Sequence, residues 1–365
     1  MSHSTEPTDV DIPIRATDND AALARLSAVQ KHYLEDPFIS ALVPRAHLQP
    51  PRPPLINIGT YLRGQGLDEL VHSWIALAAK ADCADGGKVQ IISFGAGSDT
   101  RFWRLATGPH ASRLAKYIEL DFPEITTKKA MAIRKSKILS AGLGSPDSVS
   151  VGGGGTTLRS PVYNLFPVDL RLPPSTSIAP ILASSSDPVL SPNLPTLLLF
   201  ECVLVYMPPA ASDALIQWFT DYISKTSTLG SIVYEMFGLG DPFGRVMLNN
   251  LKSRNVCLPG AGPYPNVPSL PQRYLRLNFT TAQALTLRQI RSEYVEKEEL
   301  ERLSRLEMLD EVEELELLSS IMLSPGPSKF RMGILLERDG PNGACIRSLS
   351  NGTTRMSEDC PRLLT

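Results

Sequence analysis

The chain has 365 residues, 42% of them hydrophobic and 20% charged, with a formal net charge of −2. That suits a globular protein with a real core, and it excludes a basic protein that reads nucleic acid through its phosphates. No apolar run approaches the ~20 residues needed to span a bilayer, and no apolar h-region follows the N-terminus, so neither a membrane span nor a signal peptide is expected. Five cysteines, at 83, 202, 257, 345 and 360, form no CxxC pair. A zinc ribbon and a disulfide framework are therefore not expected, and a reducing, cytoplasmic location is.

Residues 1–16 are polar and aperiodic and are read as a disordered tail. Thr17–Asp36 reads as a helix, with Ala22, Leu26, Val29 and Tyr33 at helical spacing. Pro44–Pro54 is a proline-rich extended connector. A second helix is expected over about Thr60–Lys80, with Leu67, Leu70, Val71, Trp74 and Leu77 on one face. Strand and helix then alternate. Lys88–Phe94 is a short apolar run closed by Gly-Ala-Gly, which fits a buried parallel strand and a tight turn. Asp99–Leu105 starts a helix, Lys116–Leu120 is a strand, and Pro123–Lys137 is a helix whose five basic residues read as a solvated face.

Residues 141–160, with Gly152–Gly155, read as a flexible insertion. Val162–Val168 is a third strand, and 173–193, rich in serine and proline, a second irregular insertion. Thr196–Phe200 and Ser231–Phe237 are the fourth and fifth strands, separated by a helix over Pro208–Lys225 and followed by one over Asp241–Arg254. Such βα repetition implies an α/β fold with a parallel sheet and helices on both faces. From Leu300 to Leu318 leucine or valine recurs every third residue, which circles a helix axis instead of forming a stripe. The segment is therefore split into a strand near 303–308 and a helix from 310 to about 320. Lys329–Glu337 is the expected last edge strand, and 338–365 a disordered tail. One domain spans 17–337.

Chemistry concentrates at the ends of the strands. Gly95 and Gly97 follow the first strand, where glycine permits positive φ and close approach of a ligand to the backbone. Two glycines also make an ordinary βα turn. Asp121 ends the second strand, 24 positions after Gly97, where a carboxylate can accept ribose hydroxyls or cap a helix. The third glycine of the dinucleotide fingerprint is replaced by the neighbourhood of Arg101 and Phe102, which favours S-adenosylmethionine over a dinucleotide. Asp169 and Leu170 follow the third strand, an acid and an apolar side chain for an adenine. Glu201 follows four apolar residues, where an unpaired carboxylate is costly. Its partner is either a ligand cation or a local Lys or Arg.

These segments resemble the leucine carboxyl methyltransferases, which modify the catalytic subunit of protein phosphatase 2A. The resemblance rests on Thr17–Ile39, Ile56–Gly66 (INIGTYLRGQG), Ile92–Leu105 (ISFGAGSDTRFWRL), Tyr117–Pro123 (YIELDFP), Thr196–Pro208 (TLLLFECVLVYMP) and Leu303–Leu318. It implies a class I S-adenosylmethionine-dependent methyltransferase sheet, Rossmann-like, with added N-terminal helices. It implies cofactor contacts at Arg25, Arg63, Gly95, Asp121, Asp169, Leu170 and Glu201, and a grip on the incoming carboxylate by Arg63 and Tyr206. Arg25 stands where the family carries lysine, so the charge is kept. Taken alone, Arg63 reads as a surface arginine and Tyr206 as a core aromatic. The implied partner is the phosphatase catalytic subunit, with no nucleic acid, membrane or metal, and a monomer is expected. The competing readings are a tRNA wybutosine methyltransferase-like enzyme, a small-molecule O-methyltransferase, and a silent phosphatase-binding scaffold. A peptide carboxylate is already ionised at pH 7, so no general base is required. None of the five histidines lies in a motif.

Overall fold

The computed structural model describes residues 11–81, 86–308, 321–323 and 336–338. The chain opens with α1 (Ile12–Gln30), α2 (Ile39–Leu42) and the long α3 (Pro54–Ala81). Then come β1 (Val89–Phe94), α4 (Arg101–Ala106), β2 (Leu114–Asp121), α5 (Pro123–Lys135) and α6 (Lys137–Ala141). They are followed by β3 (Ser150–Gly152), β4 (Thr157–Arg159), β5 (Tyr163–Pro167), α7 (Pro174–Ser177) and α8 (Ala179–Leu182). β6 (Thr196–Glu201), α9 (Pro209–Tyr222), β7 (Leu229–Met236) and α10 (Pro242–Ser253) continue the alternation. The last described elements are α11 (Leu270–Leu275), β8 (Leu285–Thr286), α12 (Leu287–Tyr294), α13 (Lys297–Ser304), β9 (Ile321–Leu323) and β10 (Leu336–Arg338).

All five expected parallel strands are present, in the order β5-β2-β1-β6-β7, with β3 and β4 added antiparallel at one edge and β9, β8 and β10 at the other. Both faces are covered. Ile91 and Leu197 point into a core with Trp74 of α3 and Phe102 of α4, whereas Ile92 and Leu198 point into a second core with Ile216 and Phe219 of α9. Successive strand residues face opposite sides, so burial on both explains why apolar residues fall on both faces of these strands, as in Leu197–Phe200 of β6. The expected Rossmann-like sheet with added N-terminal helices is therefore the fold. Among the described residues no helix is long and apolar enough to cross a membrane.

Several boundaries depart from expectation. α1 begins at Ile12, not Thr17, so residues 12–16 are helical; residues 1–10 lie outside the described residues. Its first buried residue is Ala22, so the N-terminal half carries no apolar periodicity to betray it. α1 also ends early. His32 takes φ 64, and the amides of Tyr33 and His32 donate to Ala28 O at 2.8 Å and Val29 O at 3.0 Å. That is a Schellman closure built on histidine where glycine would be the readable signal. α3 starts at Pro54, a residue that fits the first turn of a helix because its missing N–H has no partner there.

The insertions are not irregular. Within 141–160, β3 and β4 form an antiparallel pair turned by Gly153–Gly155, and Leu158 is fully buried. Within 173–193, α7 and α8 bring Ile178, Leu182 and Leu190 into the second core. No strand forms over 303–308, because Leu303 is buried on α13, which runs to Ser304 before a turn. The helix expected from 310 and the tail from 339 lie outside the described residues. The expected edge strand over Lys329–Glu337 is seen as β10, shifted to Leu336–Arg338, antiparallel to β7; β9 pairs with the same strand further along. The basic face of α5 is only partly solvated: Lys129 is 3% exposed and its Nζ bonds Glu119 at 2.5 Å and Asp99 O at 2.9 Å.

Candidate active site

β1 pairs with β2 on one side and with β6 on the other, so the order of the parallel strands reverses there. A crevice opens outside the strand tips at such a point. Here it is a cavity of about 510 Å³, roofed by α1, α3 and α10. Arg25, Arg63, Gly95, Asp121, Asp169, Leu170, Glu201 and Tyr206 all line it. Three hundred to a thousand Å³ is the usual range for a small-molecule site (~300–1,000 Å³). Asp18, Asp20, Asp99, Asp121, Asp169 and Glu201 in the lining are matched by six arginines, a balance suited to a zwitterion and not to a polyanion.

The glycine loop is sterically exact. Gly95 holds φ 56 and Gly97 φ 48. A Cβ on Gly95 would lie 2.8 Å from Val203 Cγ2, and one on Gly97 would lie 2.7 Å from Asp18 Oδ1. The Gly97 amide donates to Asp121 Oδ2 at 2.7 Å and the Phe122 amide to Oδ1 at 2.7 Å. Asp121 is thus fixed at the tip of β2. Burial pushes its carboxyl up to about 6, against the two amides, which favour the charged form.

Glu201 meets two local arginines. Its Oε1 accepts from Arg63 Nε at 2.7 Å and its Oε2 from Arg101 Nη2 at 3.3 Å. Arg63 also lies over the Tyr234 ring at 5.2 Å. Burial opposes its charge, but Glu201 and Tyr234 outweigh that and raise its pKa. Asp169 is engaged too: it accepts from Arg171 N, Nε and Nη2 at 3.0, 2.8 and 2.7 Å, and Arg171 in turn forks onto Asp11. Arg25 Nε bonds Asp36 Oδ2 at 2.5 Å. Tyr206 is half-buried on a single 3₁₀ turn, Leu204–Tyr206, and burial raises its hydroxyl pKa. Just before that turn Cys202 takes φ 55, a left-handed conformation that costs a non-glycine residue about 1–3 kcal/mol.

Sequence reasoning missed the support behind these residues. Arg101, 2% exposed, bonds Asp68 at 2.9 Å, Asp99 at 2.5 Å and Glu201 at 3.3 Å. Arg104 pairs with the same Asp68. Asp36, Asp68, Asp99 and Glu201 thereby meet Arg25, Arg63, Arg101 and Arg104 in one balanced network. A buried network of this kind adds little net stability, since desolvation offsets attraction, but breaking it strands a charge. The only advance signal was an arginine pair one helical turn apart beside Asp99, and that is too common to single out. Asp18, whose Oδ2 bonds Lys128 Nζ at 2.8 Å, belongs to the same lining. Among the described residues no group of three or more His, Cys, Asp or Glu is placed to hold a metal ion.

Residues 14–220 match the family model described as leucine carboxyl methyltransferase. Leucine carboxyl methyltransferase 1 of Cryptococcus neoformans is 43% identical over 316 residues, covering 80% of this chain and 85% of its own. The Bos taurus protein of that name is 33% identical, covering 80% and 83%. A homologue in Arabidopsis thaliana is 34% identical, covering 78% and 80%.

Proposed function

Because this chain belongs to the leucine carboxyl methyltransferase family, we propose that its cavity holds S-adenosylmethionine beside a C-terminal leucine carboxylate of the protein phosphatase 2A catalytic subunit. What supports this reading most is that residues from five separate motifs, among them Arg63 and Tyr206, surround a single cavity at the strand tips. The residues present fit the cofactor: Gly95 and Gly97, packed too tightly against Val203 and Asp18 to carry side chains, bring bare loop backbone to the cavity wall beside Asp121. S-adenosylmethionine supplies a methyl group on a positively charged sulfur.

The chain's own residues do the rest. Asp121, held by two amides, presents its remaining lone pairs to ribose hydroxyls. Leu170 packs an adenine face, and Asp169, anchored by Arg171, lies beside it for the exocyclic amine. Glu201 serves the methionyl ammonium, and Arg25 its carboxylate. Arg63 stands at the seam: Nε holds Glu201, and the other N–H donors face a carboxylate. Tyr206 donates a further hydrogen bond. Ile56, Met247 and Leu251 in the lining offer an apolar wall for the leucine side chain.

The acceptor carboxylate, with a reference pKa of about 3.5, is ionised at pH 7 and needs no base. An anion then reacts with a cation, so charge disappears in the transition state, and a roofed, water-poor cavity favours the reaction. Gripping both carboxylate oxygens would blunt the nucleophile. The expected arrangement clamps one oxygen and leaves the other to react at about 3 Å. A cytoplasmic location suits Cys202 and Cys257, which are free thiols. The test is transfer of radiolabelled methyl from S-adenosylmethionine into purified phosphatase catalytic subunit. Base-labile label is expected, and none on a peptide ending in leucine carboxamide. Label on the carboxamide, or base-stable label, would end the carboxylate reading.

A further inference from the structure

The Tyr206 turn is held from outside by a segment that touches no part of the cavity. The amide of Gly260, in the loop between α10 and α11, donates to Val205 O at 2.9 Å. The two backbones lie so close that a Cβ on Gly260 would sit 2.0 Å from Leu204 O and 3.0 Å from Met207 O. Only hydrogen fits there. Gly262, two residues on, would meet nothing within 4 Å if given a side chain.

Gly260 is in turn braced from behind. Arg273 of α11 donates from Nη2 to Gly260 O at 3.4 Å and from Nη1 to Glu235 Oε1 at 2.6 Å. Its guanidinium lies 4.0 Å from the Tyr264 ring centroid. Arg273 is 1% exposed and Glu235 2%. Glu235 sits on β7 between Tyr234 and Met236, both of which line the cavity, while Gly260, Glu235 and Arg273 do not. A chain of contacts therefore runs from the sheet through Arg273 and Gly260 to the backbone that carries Tyr206. The pair is a poor source of stability, because Glu235 Oε2 and Arg273 Nε are buried with no partner among the described residues. What it does achieve is to fix one loop against one turn. That turn begins at the left-handed Cys202, a conformation that persists only where its surroundings impose it.

We infer that Gly260, clamped by the Arg273–Glu235 pair, is a positioning residue that sets Tyr206 against the incoming acceptor and leaves cofactor binding alone. The inference rests on the acceptor role given to Tyr206 above. The test compares Gly260→Ala with Gly262→Ala in the full chain. Gly260→Ala is expected to speed hydrogen exchange of the 203–207 amides at least tenfold. It should cut kcat/KM for the phosphatase catalytic subunit at least tenfold and leave the Kd of S-adenosylhomocysteine within twofold. Gly262→Ala should change none of these. In a Tyr206→Phe background the cost of Gly260→Ala on kcat/KM should shrink below threefold. Unaltered exchange at 203–207, an unchanged kcat/KM, or an equal loss of cofactor affinity would each overturn the inference. So would a full Gly260→Ala penalty in the Tyr206→Phe background. If Gly260→Ala does not fold, Arg273→Lys takes its place. It keeps the charge beside Glu235 but loses the reach to Gly260 O, and the same pattern is expected at about threefold. A wild-type protein that fails to methylate the phosphatase catalytic subunit would sink the function instead, and the exchange rates would still judge the hold on the turn.

Discussion

The two halves of the cavity are built on different principles. In the function proposed above, the cofactor half is four strand tips: Gly95 after β1, Asp121 closing β2, Asp169 and Leu170 after β5, and Glu201 closing β6. Once those strands are parallel neighbours, their tips have nowhere else to converge. The acceptor half comes from elements with no such obligation. Arg63 is on α3, Met247 and Leu251 on α10, and Tyr206 on a strained turn. Long-range polar contacts hold them in place: Arg63 bonds Glu201 at the tip of β6, and the Gly260 amide bonds Val205 O in the Tyr206 turn. One half follows from topology, and the other from long-range polar contacts. The second should therefore be open to damage that spares the first.

Arg63→Lys should have the largest effect, because Arg63 alone touches both halves. A point charge cannot hold Glu201 through Nε and present a planar fork to a carboxylate. The expected loss in acceptor kcat/KM is about a hundredfold, or ~2.7 kcal/mol, measured by label transfer. Near wild-type turnover would remove the clamp from the mechanism.

Asp121→Asn should be confined to the cofactor half. It should weaken S-adenosylhomocysteine about tenfold at pH 7.5, by calorimetry, with the acceptor KM unchanged. Burial holds the Asp121 carboxyl at about 6, so the wild type takes up a proton there between pH 7.5 and 5.5. Ribose hydroxyls favour the charged form, so wild-type affinity should fall across that window while that of the Asn variant stays flat. The ligand-free protein runs the other way. A raised carboxyl contributes stability that is complete below its ordinary range and lost as pH rises through about 6. At pH 7.5 the ligand-free Asn variant should therefore melt no lower than wild type. A clearly lower Tm would show that the charged form is stabilised in the fold.

Gly95→Ala tests where the halves meet, since its Cβ would strike Val203, three residues before Tyr206. With φ 56 added to the clash, a cost of roughly 1–3 kcal/mol is expected, seen as a fall in Tm of several degrees and as losses in both Kd and acceptor KM. A loss in only one would mean that the loop and the turn are not coupled. Asp187→Ala, far from both halves, should do least. Its partner is Arg159, with side chains 69% and 37% exposed, so under ~1 kcal/mol and no change in activity are expected.

The sequence by itself determined what local chemistry and periodicity can carry. The five parallel strands are apolar on both faces because both faces are buried, and that pattern is contiguous in the chain. Gly95, Asp121, Leu170 and Glu201 were legible for the same reason: each stands at the end of a strand or within three residues of it, so finding the strand finds the residue. Where structure depends on one unusual dihedral, the signal failed: the closure of α1 turns on His32, and histidine does not announce a left-handed residue. The serine- and glycine-rich insertions failed likewise, because a single Leu158 or Leu182 seated in the core orders a segment whose composition reads as loop. Only the tertiary structure decided that Glu201 faces Arg63 and Arg101, that Arg101 lies buried among three carboxylates, and that Gly260 backs Tyr206. These partners are far apart along the chain, and any of 36 basic residues could have met any of 38 acids. Charge has no periodicity to reveal its partner, and only the packing of helices onto the sheet selects the pairs.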